Sequence, residues 1–435
     1  MRGRLAFLAA TPALALLFHA VAAFGADALV RRGFLGAVTI ERGGAVVVSA
    51  VLPDSPAERA GIVAGDTIID VNGSDVTTVR AFLAKMRMPG GTLVGLGVAH
   101  AGRVSYKRIV LPEYPRENDP EVDTTYGSIA IDGTLRRTLE TVPHDATGRH
   151  PGVFFAGGIG CFSVDTVAPD AYRNLAHDLS RRGFVTLRLE KSGVGDSQGP
   201  PCAGVDFSTE AHSYAVALDA FRNDPAVDPA HVYVFGHSIG SIIAPRLGLE
   251  QPLAGIIVAE AVARDWFDYE LRNERRQLLL SATPPDQIET TMRSKELCSH
   301  ELMVEKLPEE AIVRAHPDCA QRFSVYPVSG EYIQQVAALN LADPWKQLAV
   351  PVLVVYGSSD FVVDEDDHRY IERTVNAAHP GNAELDVING MDHNLTMAAS
   401  QQASFDRAGS GKRGDYDPEL SLSILRWLCA REHCS

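Results

Sequence analysis

The chain reads as an α/β protein with a mostly parallel sheet and helices on both faces, preceded by a smaller, mainly β module. Three observations predict this. Residues 231–235, 255–259 and 351–356 are nearly continuous apolar runs rich in β-branched side chains, as strands buried on both faces are. The first run passes through Gly236-His237-Ser238-Ile239-Gly240 into the helix-like 241–247, which is the strand–turn–helix unit of such a sheet. Ahead of both, a segment from Arg31 to Leu111 closes on its own apolar run and is followed by a proline-rich acidic stretch. A length of 435 residues permits two or three domains, and 46% hydrophobic residues is ordinary for globular cores.

Each element adds chemistry. In G-x-S-x-G the glycines let a strained turn lie close to the following helix, so the Ser238 hydroxyl stands at the strand's carboxyl end. The run 351–356 ends in Gly357-Ser358-Ser359-Asp360, which places a carboxylate at another strand end. Strand 384–388 is followed by Asn389-Gly390-Met391-Asp392-His393. A parallel sheet gathers Ser238, Asp360 and His393 on one edge. Serine, then acid, then histidine is a recognised order for a nucleophile, its orienting acid and its base. The carboxylates Asp364, Asp366 and Asp367 compete for the acid's place but read better as a solvated loop. Glu260 ends the run 255–259 and reads as a carboxylate lining the cleft, while His237 and His368 read as structural or exposed. The loop at Gly193-x-Gly195 lacks the helix and distant acid of a dinucleotide fingerprint.

On these motifs the segment from Thr124 onward resembles an α/β-hydrolase of the bacterial esterase and serine-aminopeptidase-like kind. Residues 126–143 resemble the opening antiparallel hairpin, 152–160 the strand and oxyanion loop, and 184–199 the next strand with its glycine-rich loop. Ala156 stands where the family often has histidine. The resemblance implies a Ser238–His393–Asp360 triad, with the Ile239 and Gly158 N–H groups as oxyanion donors and Ile159 in reserve. A cap is placed at about 262–346, a stretch with little strand character and helical patterns at 264–280, 284–297, 308–316 and 330–339. Trp266, Phe267, Tyr269, Leu278 and Leu279 could line an acyl pocket there, although such residues more often pack a cap on its core.

Residues 31–111 resemble a PDZ domain of the bacterial periplasmic type, through Gly33-Phe34-Leu35-Gly36 and the run 55–73. The resemblance implies that a peptide C-terminus adds to the sheet edge, with the N–H groups of Phe34, Leu35 and Gly36 holding its carboxylate. Residues 112–123 carry three prolines and five acids and read as an extended linker between independent modules. Arg2 and Arg4, an apolar stretch over 5–24 and a small-residue exit near residue 25 read as a secretory signal peptide, so the location expected is secreted or periplasmic.

A net charge of −15 without a basic cluster argues against nucleic-acid or anionic-membrane partners. No later stretch is apolar enough to span a membrane, no His/Cys spacing suggests a metal, and no cofactor is expected. The six cysteines suit an oxidising compartment. Cys161 and Cys202 lie on loops of the same sheet edge and are expected to pair, leaving Cys298–Cys319 and Cys429–Cys434 by proximity among fifteen possible connectivities. The function expected is ester hydrolysis by an exported serine hydrolase, on a small-molecule ester or peptide substrate. The alternatives are a peptidase or amidase with the same triad, and an inactive peptide-binding scaffold.

Overall fold

The computed structural model describes residues 28–323, 326–432 and 434, so the signal-peptide segment lies outside the described residues. Two sheets organise the chain. The first comprises β1 (Ala37–Arg42), β2 (Ala45–Val51), β3 (Thr67–Val71), β4 (Ser74–Asp75), β5 (Leu93–His100) and β6 (Arg103–Val110). Its order is β1-β2-β3-β5-β6, with β4 on β3, and every pairing is antiparallel. Val46, Val48, Ile68, Val94, Leu96 and Phe82 form its core.

The second sheet comprises β7 (Val122–Ile131), β8 (Thr134–Pro143), β9 (His150–Ala156), β10 (Val185–Leu189), β11 (Val227–His237), β12 (Gly255–Ala259), β13 (Val352–Gly357) and β14 (Ala383–Ile388). Its order is β14-β13-β12-β11-β9-β10-β8-β7. The hairpin β7–β8 and the β8–β10 pair are antiparallel, and the remaining pairs are parallel. Strands β10 and β11 flank β9 and follow it in sequence, so the loops after β9 and β11 open side by side at a topological switch point, where ligands of open α/β sheets bind. The parallel strands β12 and β13 are buried along their whole length, which explains their unbroken apolar runs. Between β12 and β13 lie helices at Trp266–Leu280, Pro285–Ser299, Glu309–Ala315, Gly330–Ala337 and Ala342–Gln347. Trp266 and Tyr269 sink into the core of the second sheet, while Leu279 stands 63% exposed.

Disulfides join Cys161 to Cys202, Cys298 to Cys319 and Cys429 to Cys434. Such bonds persist in oxidising surroundings. Among the described residues no helix is long and apolar enough to cross a membrane.

The expectation of a free linker is corrected. Glu117 grips Arg188 on β10 through both carboxylate oxygens, at 2.8 and 2.7 Å, and also meets His177 at 3.0 Å. Asp119 meets His177 and Arg181. Glu117 and Asp119 are therefore counter-ions of the second sheet and the helix Ala171–Ser180. The first module docks as well. Arg31 pairs with Asp165 and with Asp196, and its Nε and Nη2 donate to the carbonyls of Tyr114 and Pro115. Arg32 lies over the Tyr114 ring and donates from its backbone N–H to Asp196. Arg87 reaches the Gly193 and Ser197 carbonyls.

Candidate active site

Ser238 directly follows β11 at φ 54°, in the left-handed region that non-glycine residues seldom adopt. Both flanking glycines are required there. A Cβ on Gly236 would lie 2.4 Å from the Gly240 carbonyl oxygen, and one on Gly240 would lie 2.1 Å from the Ala156 oxygen. With bulk excluded, the helix Gly240–Glu250 starts immediately after the serine and aims its N-terminus into the site.

The structure brings Ser238, Asp360 and His393 together from three strand ends. His393 Nε2 is 3.1 Å from Ser238 Oγ, and His393 Nδ1 is 2.7 Å from Asp360 Oδ2. The other oxygen of Asp360 accepts the N–H groups of Val362 and Val363. Burial alone would raise the Asp360 carboxyl. The His393 charge, its hydrogen bond and a further bond from Glu260 outweigh burial and hold Asp360 down at about 2. Asp364 lies elsewhere: it caps the helix Glu365–Ala378 and pairs with Arg264, Arg272 and Arg276.

The two expected oxyanion donors fare differently. Among the described residues Ile239 N–H has no acceptor, whereas Gly158 N–H already donates to Tyr172 Oη at 2.9 Å. Gly158 is therefore corrected as a donor, and the N–H of the reserve residue Ile159 has no acceptor among the described residues. Lys191, which is buried, donates from Nζ to the Gly158 carbonyl at 2.7 Å and pairs with Glu210 at 3.0 Å. In a trans peptide the carbonyl and the next N–H point in opposite directions, so Lys191 also fixes where Ile159 N–H aims.

His237 and Tyr172 complete this frame. The His393 carbonyl only accepts, so His237 Nε2 carries the proton donated to it at 2.8 Å, and His237 Nδ1 accepts from Tyr172 Oη at 2.6 Å. Burial, aided by the His393 charge, pushes His237 down to about 3 and keeps it neutral. Three hydrogen bonds thus run from the oxyanion loop to the histidine loop. The G-x-S-x-G motif places His237 but gives no sign of Tyr172 or Lys191, which arrive from the helix Ala171–Ser180 and the end of β10. The helical insertion reaches this edge too, where Pro327 packs beside Gly160. The disulfide Cys161–Cys202 ties the oxyanion loop to the loop after β10.

In the first module, Gly36 has φ 78° and sits against Ser55. The expected donor Phe34 is corrected, because its N–H donates to the Pro112 carbonyl at 2.8 Å. Among the described residues the N–H groups of Leu35 and Gly36 have no acceptor, and β1 is an edge strand paired only with β2.

Glu260, Asp360 and His393 bring one ligand atom each within 4.8 Å of one another. Two of the three are already bonded to each other, which leaves this group a proton-sharing cluster in its donor chemistry.

The family model described as serine aminopeptidase, S33, matches residues 169–398, and a PDZ domain model matches residues 47–99. The chain is similar to Esterase EstD of Thermotoga maritima, at 23% identity over 78% of this chain and 74% of that protein. Among solved structures it is similar to the α/β-hydrolase GrgF from Penicillium sp. sh18 (15% identity, 72% of this chain and 99% of that one, TM-score 0.44). It is also similar to Est1E from Butyrivibrio proteoclasticus (14% identity, 71% and 99%, TM-score 0.45).

Proposed function

Because the chain belongs to the serine aminopeptidase S33 family of α/β-hydrolases, we propose that it is an exported esterase working through an acyl-enzyme on Ser238. The observation that carries this reading is the unbroken hydrogen-bond line from Ser238 Oγ through His393 to Asp360. A serine hydroxyl needs an adjacent base at neutral pH. His393 Nε2 takes the Ser238 proton as Oγ attacks the ester carbonyl carbon. The negative oxygen of the tetrahedral intermediate is held by Ile239 N–H and Ile159 N–H. His393 then gives the proton to the departing alcohol, and a water activated by the same nitrogen releases the acid. Asp360 keeps the imidazole in the required tautomer and stabilises its charged form.

The PDZ module binds a peptide C-terminus along β1, with the carboxylate on Leu35 N–H and Gly36 N–H. An export signal agrees with three disulfides.

A second reading, peptide-bond cleavage, is favoured by the PDZ module, which could deliver a polypeptide end to the hydrolase. Initial rates on p-nitrophenyl esters of graded acyl length, measured beside aminoacyl and peptidyl anilides, separate the two. Higher kcat/KM on esters supports the esterase; higher kcat/KM on anilides replaces it with the peptidase.

A further inference from the structure

The acyl-enzyme route leaves Glu260 unused, although its position is demanding. Glu260 directly follows β12 at φ 50°, a left-handed backbone at a second strand end of the site, and its side chain is fully buried. Its Oε1 accepts the Gly357 N–H at 2.8 Å. That approach depends on glycine, since a Cβ at position 357 would lie 2.6 Å from Oε1. Its Oε2 is buried without an N–H or hydroxyl donor among the described residues. A Glu260 oxygen shares a 4.8 Å cluster with an oxygen of Asp360 and a nitrogen of His393.

The charged and titratable groups facing Glu260 make an ionised state untenable. Asp360 and Asp392 are acidic, and Tyr356 offers no positive charge. His368 accepts the Ala261 N–H at Nε2 and donates from Nδ1 to the Asp364 carbonyl, so it is neutral. Among the described residues no lysine or arginine pairs with Glu260. Two carboxylates in one dry space cannot both ionise. One proton on Glu260 Oε2 removes the repulsion and gives that orphan oxygen a partner. Asp360 keeps the charge, because it also faces His393 and two backbone N–H groups.

We propose that Glu260 is a positioning acid for the triad, its Oε2–H donating to Asp360 and holding that carboxylate against His393 Nδ1. The inference rests on the triad proposed above. The electrostatics agree, with burial first and the Asp360 charge second raising Glu260 well above the carboxylate range. The proton stays on Glu260 throughout the cycle, so no step consumes it.

The test uses the full-length protein with E260Q and E260L. Glutamine keeps both an acceptor for Gly357 N–H and a donor to Asp360. E260Q is expected to retain kcat and the acid limb of the kcat/KM pH profile. E260L removes the donor to a charged group and is expected to lower kcat by roughly ten- to a hundred-fold, with KM little changed. Its acid limb moves to higher pH, because Asp360, relieved of one donor, draws the His393 proton more strongly. An infrared difference spectrum, wild type minus E260Q at neutral pH, is expected to show the carbonyl stretch of a protonated carboxylic acid. This last readout is independent of turnover, so it decides the case even if E260L fails to fold. Absence of the acid band, a fall of the acid limb in E260Q, or wild-type kcat in folded E260L overturns the proposal. If the triad itself were misassigned, S238A and D360N would stay active whatever the infrared band showed.

Discussion

Arg31 Nη1 lies 2.7 Å from Asp196 Oδ2, and the two side chains are 3% and 0% exposed. This contact joins the first module to the loop after β10. Asp165, also at 0% exposure, meets the same guanidinium, and Arg32 and Arg137 share these two buried carboxylates with it. Removing one partner of such a buried pair typically costs about 3–5 kcal/mol. Because Arg32 and Arg137 remain beside Asp165 and Asp196, Arg31→Ala is expected to lower unfolding free energy in urea melts by no more than that, and a chain beginning near Asp123 to be less stable still. Unchanged melts would show that the two modules are independent.

Glu117 supplies a pH dependence with a defined sign. Burial would raise its carboxyl, but the Arg188 charge and the bonds from His177 and Arg188 hold it down at about 2, from an ordinary 4.5. A depressed folded value contributes stability that is complete above the unfolded value and lost as pH falls through the folded one. Glu117→Gln should therefore melt well below wild type at neutral pH. The gap should narrow between pH 4.5 and about 2. A gap that is constant across that range would show that Glu117 does not act through its charge.

Lys191 is expected to act on the transition state, because it holds the Gly158 carbonyl and with it the direction of Ile159 N–H. Losing an oxyanion donor costs about 2.7–4 kcal/mol, which is the ceiling for an indirect effect. Lys191→Met should lower kcat within that limit and leave KM nearly unchanged. A rise in KM alone would assign Lys191 to substrate binding.

Asp360 and Asp364 are separable by what each variant damages. Asp360→Asn should lower kcat by about 10⁴ in a folded protein, because the amide favours the wrong imidazole tautomer. Asp364→Asn disturbs a helix cap and three arginines, so it should lower melting temperature and leave kcat close to wild type. Reversed effects in steady-state rates would move the acid to Asp364.

The parts of this protein legible in the sequence are those whose cause is local. The elbow around Ser238 is written in two glycines, and the parallel strands in runs such as 351–356, because burial on both faces leaves no room for alternation. Residues 112–123 misled for the opposite reason. Proline and acid content describes a solvated tether, but the partners of Glu117 and Asp119 are Arg188, His177 and Arg181, far along the chain. Gly158 failed as a donor because Tyr172, on another helix, takes its N–H. Phe34 failed because the connecting segment folds back on it. Glu260 was visible as a carboxylate at a strand end, but its lack of a cationic partner emerges only from the packed neighbourhood.

The central claim is that Ser238 is the nucleophile, and a fluorophosphonate probe tests it most directly. After incubation with the probe, intact mass and peptide mapping should show one adduct, on Ser238, in the wild type. Folded Ser238→Ala should show none. An adduct on another residue, or labelling that persists in Ser238→Ala, would contradict the account.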